Sequence, residues 1–327
     1  MALTAPNDNW TLDAAPDLNG RVAIVTGATS GIGYETARGL AWRGATTILA
    51  GRNPDKGARA LSRIRASVPD AKARFEMLDL ASLASVAEFA NAVSAAHGGV
   101  IDILVNNAGV MALPTRQLTR NGFEQQTGVN YLAHFALTGR LKDALCSAPG
   151  GGRVVNVTSL AHRRGRINFN DLQSEKLYSP GGAYAQSKLA MLMFALELQR
   201  RAEQNQWNLR SIAAHPGWAR TEIINSGIGG GAPGLKAMLI DQVFALVAQS
   251  ARDGALPSLY AAVAPEAKGG AYYGPTHYGE TRGPPGLSRV FPQAADRSAA
   301  SRLWVLSERL TGVSFSTPQP AHPPASA

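Results

Sequence analysis

The chain of 327 residues contains a single cysteine, Cys146. No internal disulfide can form, and a reducing cytoplasm is the expected location. Long apolar runs are missing too, since no hydrophobic stretch reaches the roughly 18 to 20 residues that a bilayer-spanning helix needs. The opening segment, MALTAPNDNWTLDAAPDLNG, holds three aspartates and no apolar centre. Neither a secretory signal nor a membrane anchor is expected there. Clustered charge of one sign is scarce. The 32 basic and 23 acidic residues leave a net charge of +9, but the basic ones are scattered, and the densest runs (RIR, 63–65; HRRGR, 162–166) have no interleaved aromatics. That argues against a groove for single-stranded nucleic acid, and no nucleic-acid partner is expected. The charge is read as solubility plus attraction for an anionic cofactor. His134, His162 and His215 stand alone without metal-ligand spacing, so no metal is expected and each is read as a satisfied or solvated histidine.

What is present is alternation. Short β-branched runs at 21–26, 45–50, 73–78, 101–105, 153–158 and 209–214 are separated by helical patterns at 31–44, 54–68, 82–97, 122–146 and 181–205. Such alternation predicts βαβ units and a parallel sheet covered on both faces. With a seventh strand near 269–273, the expectation is an α/β, single-domain, doubly wound Rossmann fold over residues 20–313, its seven-stranded sheet mostly parallel. Residues 1–19 are read as an N-terminal extension and the proline-rich 314–327 as a disordered tail. Residues 221–257 join a glycine cluster to an apolar helix, a composition suited to a mobile substrate cap or equally to a subunit contact.

Directly after the first strand comes TGATSGIG, 26–33, opening a helix. Gly27 permits a tight turn, Gly31 lets the backbone approach a pyrophosphate, and Gly33 allows close helix packing, while the helix N-terminus supplies amides and positive dipole. Gly27, Thr29, Ser30, Gly31, Ile32 and Gly33 are therefore candidate cofactor contacts. Folds that prefer the unphosphorylated dinucleotide usually end the second strand with an acid that accepts from the ribose hydroxyls. Positions 46–54 hold none, and Arg52 stands where such an acid would be. A guanidinium there offers bidentate contacts to a 2′-phosphate, which favours NADP(H) over NAD(H). Asp55, just beyond, could still turn toward the ribose. Asp79, followed by Leu80, ends the third strand and could accept from the adenine amino group, or cap the next helix in competition with Ser82. The fourth strand ends in Asn106, Asn107, Ala108 and Gly109, which border the same crevice as the glycine turn.

Tyr184 and Lys188 stand four apart in a helical pattern, on one face about a turn apart. A neighbouring ammonium can lower a phenol toward working pH, and a phenol so tuned can exchange a proton with a carbonyl or alcohol. Alone the pair is weak. Ser159 strengthens it, because it follows the fifth strand directly and so stands at the carboxyl edge of the sheet, able to hold a substrate oxygen. Asn130 lies within the fourth long helix, where an inward amide could hold a water beside Lys188. Tyr178 has Gly182 rather than a lysine four residues on and is not expected to replace Tyr184.

In this order TGATSGIG, NNAG, Asn130, Ser159, Tyr184-x-x-x-Lys188 and HPGWARTE (215–222) resemble the short-chain dehydrogenase/reductase family over roughly residues 20–315. NFNDLQSEKLYSPGGAYAQSKLAMLMF, GGAYYGP and RLWVLSERLTGVSF are similar to its retinol-dehydrogenase and WW-domain-oxidoreductase branch. The resemblance implies a tetrad of Asn130, Ser159, Tyr184 and Lys188, cofactor contacts at Pro216 and Gly217, Thr221 near the nicotinamide carboxamide, and a homodimer or homotetramer. The expected activity is interconversion of an alcohol and a ketone or aldehyde. Met111, Leu113, Leu160, Trp218 and the apolar part of 223–246 are expected to line the pocket, favouring a small lipophilic or bulky substrate. An apolar anchor like the one with which membrane-bound retinoid relatives begin is not expected from the opening segment. A rival reading is a cofactor-binding interaction protein on the same fold that does no chemistry, against which the presence of all four tetrad residues argues.

Overall fold

The computed structural model describes residues 10–219 and 248–315. Strand β1 (Val22–Thr26) leads through the glycine turn into helix α1 (Gly31–Trp42), and β2 (Thr46–Gly51) leads into α2 (Pro54–Ser67). The next units are β3 (Ala73–Met77) with α3 (Leu83–Ala96) and β4 (Ile103–Asn106) with the short α4 (Gln125–Thr127) and α5 (Ala133–Cys146). Then follow β5 (Gly152–Val157), the long α6 (Pro180–Gln204), β6 (Leu209–Ala214), α7 (Ala251–Val263), β7 (Tyr272–His277), β8 (Arg282–Leu287) and α8 (Arg297–Thr311). The order across the sheet is β3-β2-β1-β4-β5-β6-β7-β8, with β7 and β8 antiparallel and every other pair parallel. The order reverses between β1 and β4, so their carboxyl ends flank a crevice.

Eight strands stand where the sequence predicted seven. The extra one, RGPPGL, carries two prolines, which cannot donate to a ladder and so do not read as a strand. They are tolerated here because β8 is the edge of the sheet, with β7 as its partner.

Alternating side chains of each strand feed two cores. Ile24 of β1 and Leu104 of β4 point to one face. Their neighbours Ala23, Val25, Ile103 and Val105 point to the other, as the period of two requires. On the first face Phe135, Phe194, Trp304 and Phe315 form an aromatic nest, with Trp304 and Phe315 ring centroids 4.5 Å apart. Phe315 is buried and its carbonyl accepts from Lys142 Nζ at 2.9 Å. The folded unit therefore runs beyond residue 313, because burying one aromatic ring contributes about 1.5–3 kcal/mol, enough to hold the following turn down. The rest of the expected tail, 316–327, lies outside the described residues. At the other end Trp10 packs edge-on against Tyr260 at 5.2 Å, and Trp10, Ala15 and Leu18 of the N-terminal extension are buried in the second core. Of the expected cap, 220–247 lie outside the described residues, whereas 251–257 open α7, whose Gly254, Ala255, Pro257, Leu259 and Tyr260 are buried.

Candidate active site

A cavity of about 1240 Å³ opens over the carboxyl ends of β1, β2, β4 and β5. Its floor begins at the glycine turn. Gly27 has φ +65°, and a Cβ there would stand 2.9 Å from the Ala108 backbone, so no other residue fits the turn without displacing the NNAG segment. A Cβ on Gly33 would collide with Gly27 O and Asn107 Nδ2. Thr29, Ser30, Gly31 and Ile32 also line the cavity, at the N-terminus of the twelve-residue α1.

At the end of β2, Arg52, Asn53 and Lys56 line the wall and Asp55 is not among them. Asp79 and Leu80 form the next wall. Ser82 is the residue that caps α3, accepting from Ser85 N at 3.3 Å. Asp79 instead accepts from Ala81 N at 3.0 Å and pairs with Arg120 at 3.3 Å. Asn107, Ala108, Gly109, Pro216 and Gly217 also line the cavity. Asn106 does not. It is fully buried, and its Nδ2 donates to Thr138 Oγ1 at 3.0 Å and Asn156 Oδ1 at 2.9 Å. The side chain sits one residue too early in β4 to reach the crevice, and strand alternation turns it into the core. Thr221 lies outside the described residues.

Of the four residues that the resemblance groups together, Ser159, Tyr184 and Lys188 line the cavity. Ser159 lies two residues past the end of β5, after Thr158, and caps the turn at 160–164, where its Oγ accepts from Ala161 N at 3.2 Å. That leaves the hydroxyl hydrogen available to another acceptor. Tyr184 and Lys188 lie near the start of α6 and line the same cavity as Ser159. The long helical pattern expected at 122–146 is broken by a π turn at Gly128–Leu132, and Asn130 is at its centre. Such turns widen a helix locally and recur at functional sites. The Asn130 side chain accepts from Val110 N at 2.8 Å, and donates to Val110 O at 2.9 Å and Ser187 Oγ at 2.9 Å. It therefore pins the segment after NNAG to α6, and it does not itself line the cavity.

The electrostatics differ from the simple expectation. Burial pushes the Tyr184 phenol above its ordinary value of 10.0, and the Ser159 hydroxyl beside it offsets part of that rise. Lys188 is pushed down to about 8 by the same loss of water. Its Nζ donates to Val157 O at 3.0 Å and stands 5.9 Å from the centre of the Tyr184 ring. For both groups the loss of water is the largest cause, because each charged form is disfavoured by burial. Arg52, Lys56, Arg163, Arg164 and Lys188 face Asp79 as the lone lining carboxylate among the described residues, so the cavity favours an anionic guest.

Met111, Leu160 and Trp218 line the cavity, together with Val110 and Ala161. Leu113 does not, because its segment is drawn aside where its carbonyl accepts from Tyr178 OH at 2.7 Å. That bond also gives Tyr178 a structural task. Two contributors were not visible in the sequence. Thr26 Oγ1 accepts from the Asn107 and Ala108 amides, both at 2.9 Å, and so ties β1 to the NNAG turn. Thr158 Oγ1 donates to Lys188 O at 2.7 Å and fixes α6 to the end of β5. A threonine at the end of a strand, as Thr26 is, or one residue past it, as Thr158 is, was the signal available.

A model of the short chain dehydrogenase family matches residues 21–227. The chain belongs to that family. It is 42% identical over 308 residues to retinol dehydrogenase 13 of Mus musculus, covering 92% of this chain and 86% of that protein. It is 43% identical over 302 residues to polyprenol dehydrogenase of Mus musculus, covering 91% and 85%. Among solved structures, an uncharacterized protein from Mycobacterium Paratuberculosis superposes with TM-score 0.77 at 38% identity, over 94% of this chain and 99% of that one. A short chain dehydrogenase from Shigella flexneri, complexed with NADP, superposes with TM-score 0.61 at 26% identity, over 79% and 98%. This protein is thus an oxidoreductase of the short-chain type, with a retinol-dehydrogenase-like sequence and a site suited to a nicotinamide cofactor. Among the described residues no helix is long and apolar enough to cross a membrane.

Proposed function

We propose that the protein is an NADP(H)-dependent dehydrogenase or carbonyl reductase acting on a lipophilic or bulky alcohol, ketone or aldehyde. The observation that carries this reading is the meeting of Ser159, Tyr184 and Lys188 in one cavity with the glycine turn. The residues fit a dinucleotide. Gly27 and Gly33 let the turn pack closely on Ala108 and on itself, and Thr29, Ser30, Gly31 and Ile32 line the cavity at the start of α1, where backbone amides suit a pyrophosphate. Arg52 at the end of β2, with Lys56 beside it and no acid at 46–54, supports a 2′-phosphate.

The bound cofactor would supply or accept the hydride, and in its oxidised form would add a positive charge to the cavity. Ser159 donates to the substrate oxygen and holds it beside Tyr184. Tyr184 gives that oxygen a proton during reduction and takes one during oxidation. Lys188, held near neutrality by burial, raises or lowers the cost of the phenolate as it gains or loses its own proton. Asn130 keeps the turn after NNAG docked on α6 through Val110 and Ser187. Met111, Leu160 and Trp218 give an apolar wall, and relatives named for retinol and polyprenol support a lipophilic substrate. A homodimer or homotetramer in a reducing cytoplasm completes the reading. The test is oxidation of NADPH and NADH against aliphatic, aryl and bulky carbonyls. Turnover with NADPH on apolar members is expected; no turnover with any carbonyl would overturn the proposal.

A further inference from the structure

Two histidines outside the lining of the cavity, His134 and His162, are placed against the backbone of the tetrad. His134 is fully buried, one turn after Asn130, and its Nδ1 lies 3.0 Å from Asn130 O. His162 is fully buried in the turn that Ser159 caps, and its Nδ1 lies 2.7 Å from Ser159 O. A carbonyl oxygen only accepts, so in both rings the hydrogen must sit on Nδ1. Burial holds both rings neutral, pushing each down to about 4, which leaves Nε2 bare. The bare nitrogens have different surroundings. His134 Nε2 is 2.9 Å from Thr26 Oγ1, and His162 Nε2 has no partner among the described residues.

The assignment closes at Thr26. Its hydroxyl has one hydrogen, which the bare Nε2 of His134 accepts at 2.9 Å in preference to Val105 O at 3.4 Å. The hydroxyl oxygen is then free to accept the Asn107 and Ala108 amides, each at 2.9 Å. Every polar atom in the chain from Ala108 N to Asn130 O has its partner in the right sense. At the other site Ser159 O accepts both the His162 amide, at 3.0 Å, and the His162 ring, so one residue fills both of its lone pairs.

We infer that His134 and His162 are positioning residues for the reaction: each donates Nδ1–H to the carbonyl of a tetrad residue, and His134 also couples Asn130 through Thr26 to the cofactor-side turn at Asn107 and Ala108. The inference rests on the oxidoreductase reading for its kinetic consequence, but not for its geometry. His162 fixes the backbone from which the Ser159 hydroxyl projects. His134 joins the two sides of the crevice, so its two nitrogens have separable effects: Nδ1 serves the proton-transfer side and Nε2 the cofactor side.

Asparagine places an amide N–H near the Nδ1 position of histidine, and glutamine places amide atoms near Nε2, so paired substitutions separate the two nitrogens. H162N should keep kcat within about threefold of the native protein, and H162Q should lower it about tenfold, the effect of one lost buried hydrogen bond. H134N should hold kcat and raise the cofactor KM about tenfold, while H134Q should do the reverse. Equal effects of asparagine and glutamine at either site would overturn the inference. If the His134 variants do not fold, the His162 pair decides. Imidazole nitrogen NMR on the native protein gives a readout without turnover: both rings should carry hydrogen on Nδ1, and hydrogen on Nε2 in either would refute the assignment. Should the native protein reduce no carbonyl, the oxidoreductase reading fails while the tautomers still decide the placement of the two rings.

Discussion

Exchanging Arg52 for aspartate should turn the cofactor preference around. Arg52 is exposed at the end of β2 and lines the cavity with Asn53 and Lys56. A hydrogen bond from a charged donor contributes about 1.5–3 kcal/mol, and solvent screening at this exposed position points to the lower end, roughly a tenfold loss on removal. Aspartate adds repulsion. Two unit charges about 4 Å apart in water interact by about 1 kcal/mol, and a phosphate carries nearly two charges, so a further fivefold to thirtyfold follows. The kcat/KM for NADPH should therefore fall about 50- to 300-fold. Lys56 still lines the site in the variant and keeps some affinity for the phosphate. For NADH the new carboxylate can accept from the ribose hydroxyls, and a gain of about threefold to tenfold is expected. Initial rates with each cofactor at saturating carbonyl measure both numbers. A native preference for NADH, or a change of less than about threefold in the ratio of the two cofactors, would refute the reasoning.

Gly33→Ala should weaken dinucleotide binding at least tenfold, measured by fluorescence titration, and destabilise the fold by about 1–3 kcal/mol, because its Cβ meets Gly27 O and Asn107 Nδ2. Trp304→Ala, in the aromatic nest far from the glycine turn, should cost about 3–5 kcal/mol in urea unfolding while leaving cofactor affinity nearly unchanged. Stability should also fall with acid in a defined window. His134 and His162 titrate near 4 in the fold against an ordinary 6.5, so the unfolded chain takes up their protons first. Their contribution is intact above about 6.5, is lost as pH falls toward about 4, and is on the order of 3 kcal/mol per ring. Glu280, held near 2 by its bonds to His215, Arg289 N and Arg163, adds a loss from about 4.5 downward. Urea unfolding at pH 7, 5.5 and 4 checks this, and a flat profile would contradict the buried neutral rings.

Much of the fold could be read from periodicity and punctuation. The first six strands fall within a residue or two of their expected bounds, since each is a β-branched run between turn residues. β8 escaped because its prolines contradict strand propensity, and only an edge position with β7 as neighbour makes them acceptable. The π turn at 128–132 left no trace in the apolar pattern, because inserting a wider turn shifts the helical face by less than the width of a fully buried helix. The residues proposed to react were legible where a side chain stands just past a strand, as Ser159 does two residues after β5, or pairs at helical spacing, as Tyr184 and Lys188 do. Asn106 was assigned to the cofactor by adjacency to Asn107, yet strand alternation turns it inward. The histidines were illegible for a different reason. His134 meets Thr26 across 108 residues of sequence, and no local pattern encodes a contact of that separation. Burial is likewise a tertiary property, so the upward push on Tyr184 and the downward push on Lys188 could not be foreseen from their spacing.

Removing a single phenolic oxygen tests the proposed chemistry most directly. Tyr184→Phe keeps the ring that lines the cavity and deletes the group that would move the proton. With cofactor affinity retained and the fold intact by unfolding, turnover of the best carbonyl should drop roughly 10²- to 10⁴-fold, the usual contribution of general acid–base catalysis. Turnover equal to that of the native protein would contradict the assignment of Tyr184 as the proton donor.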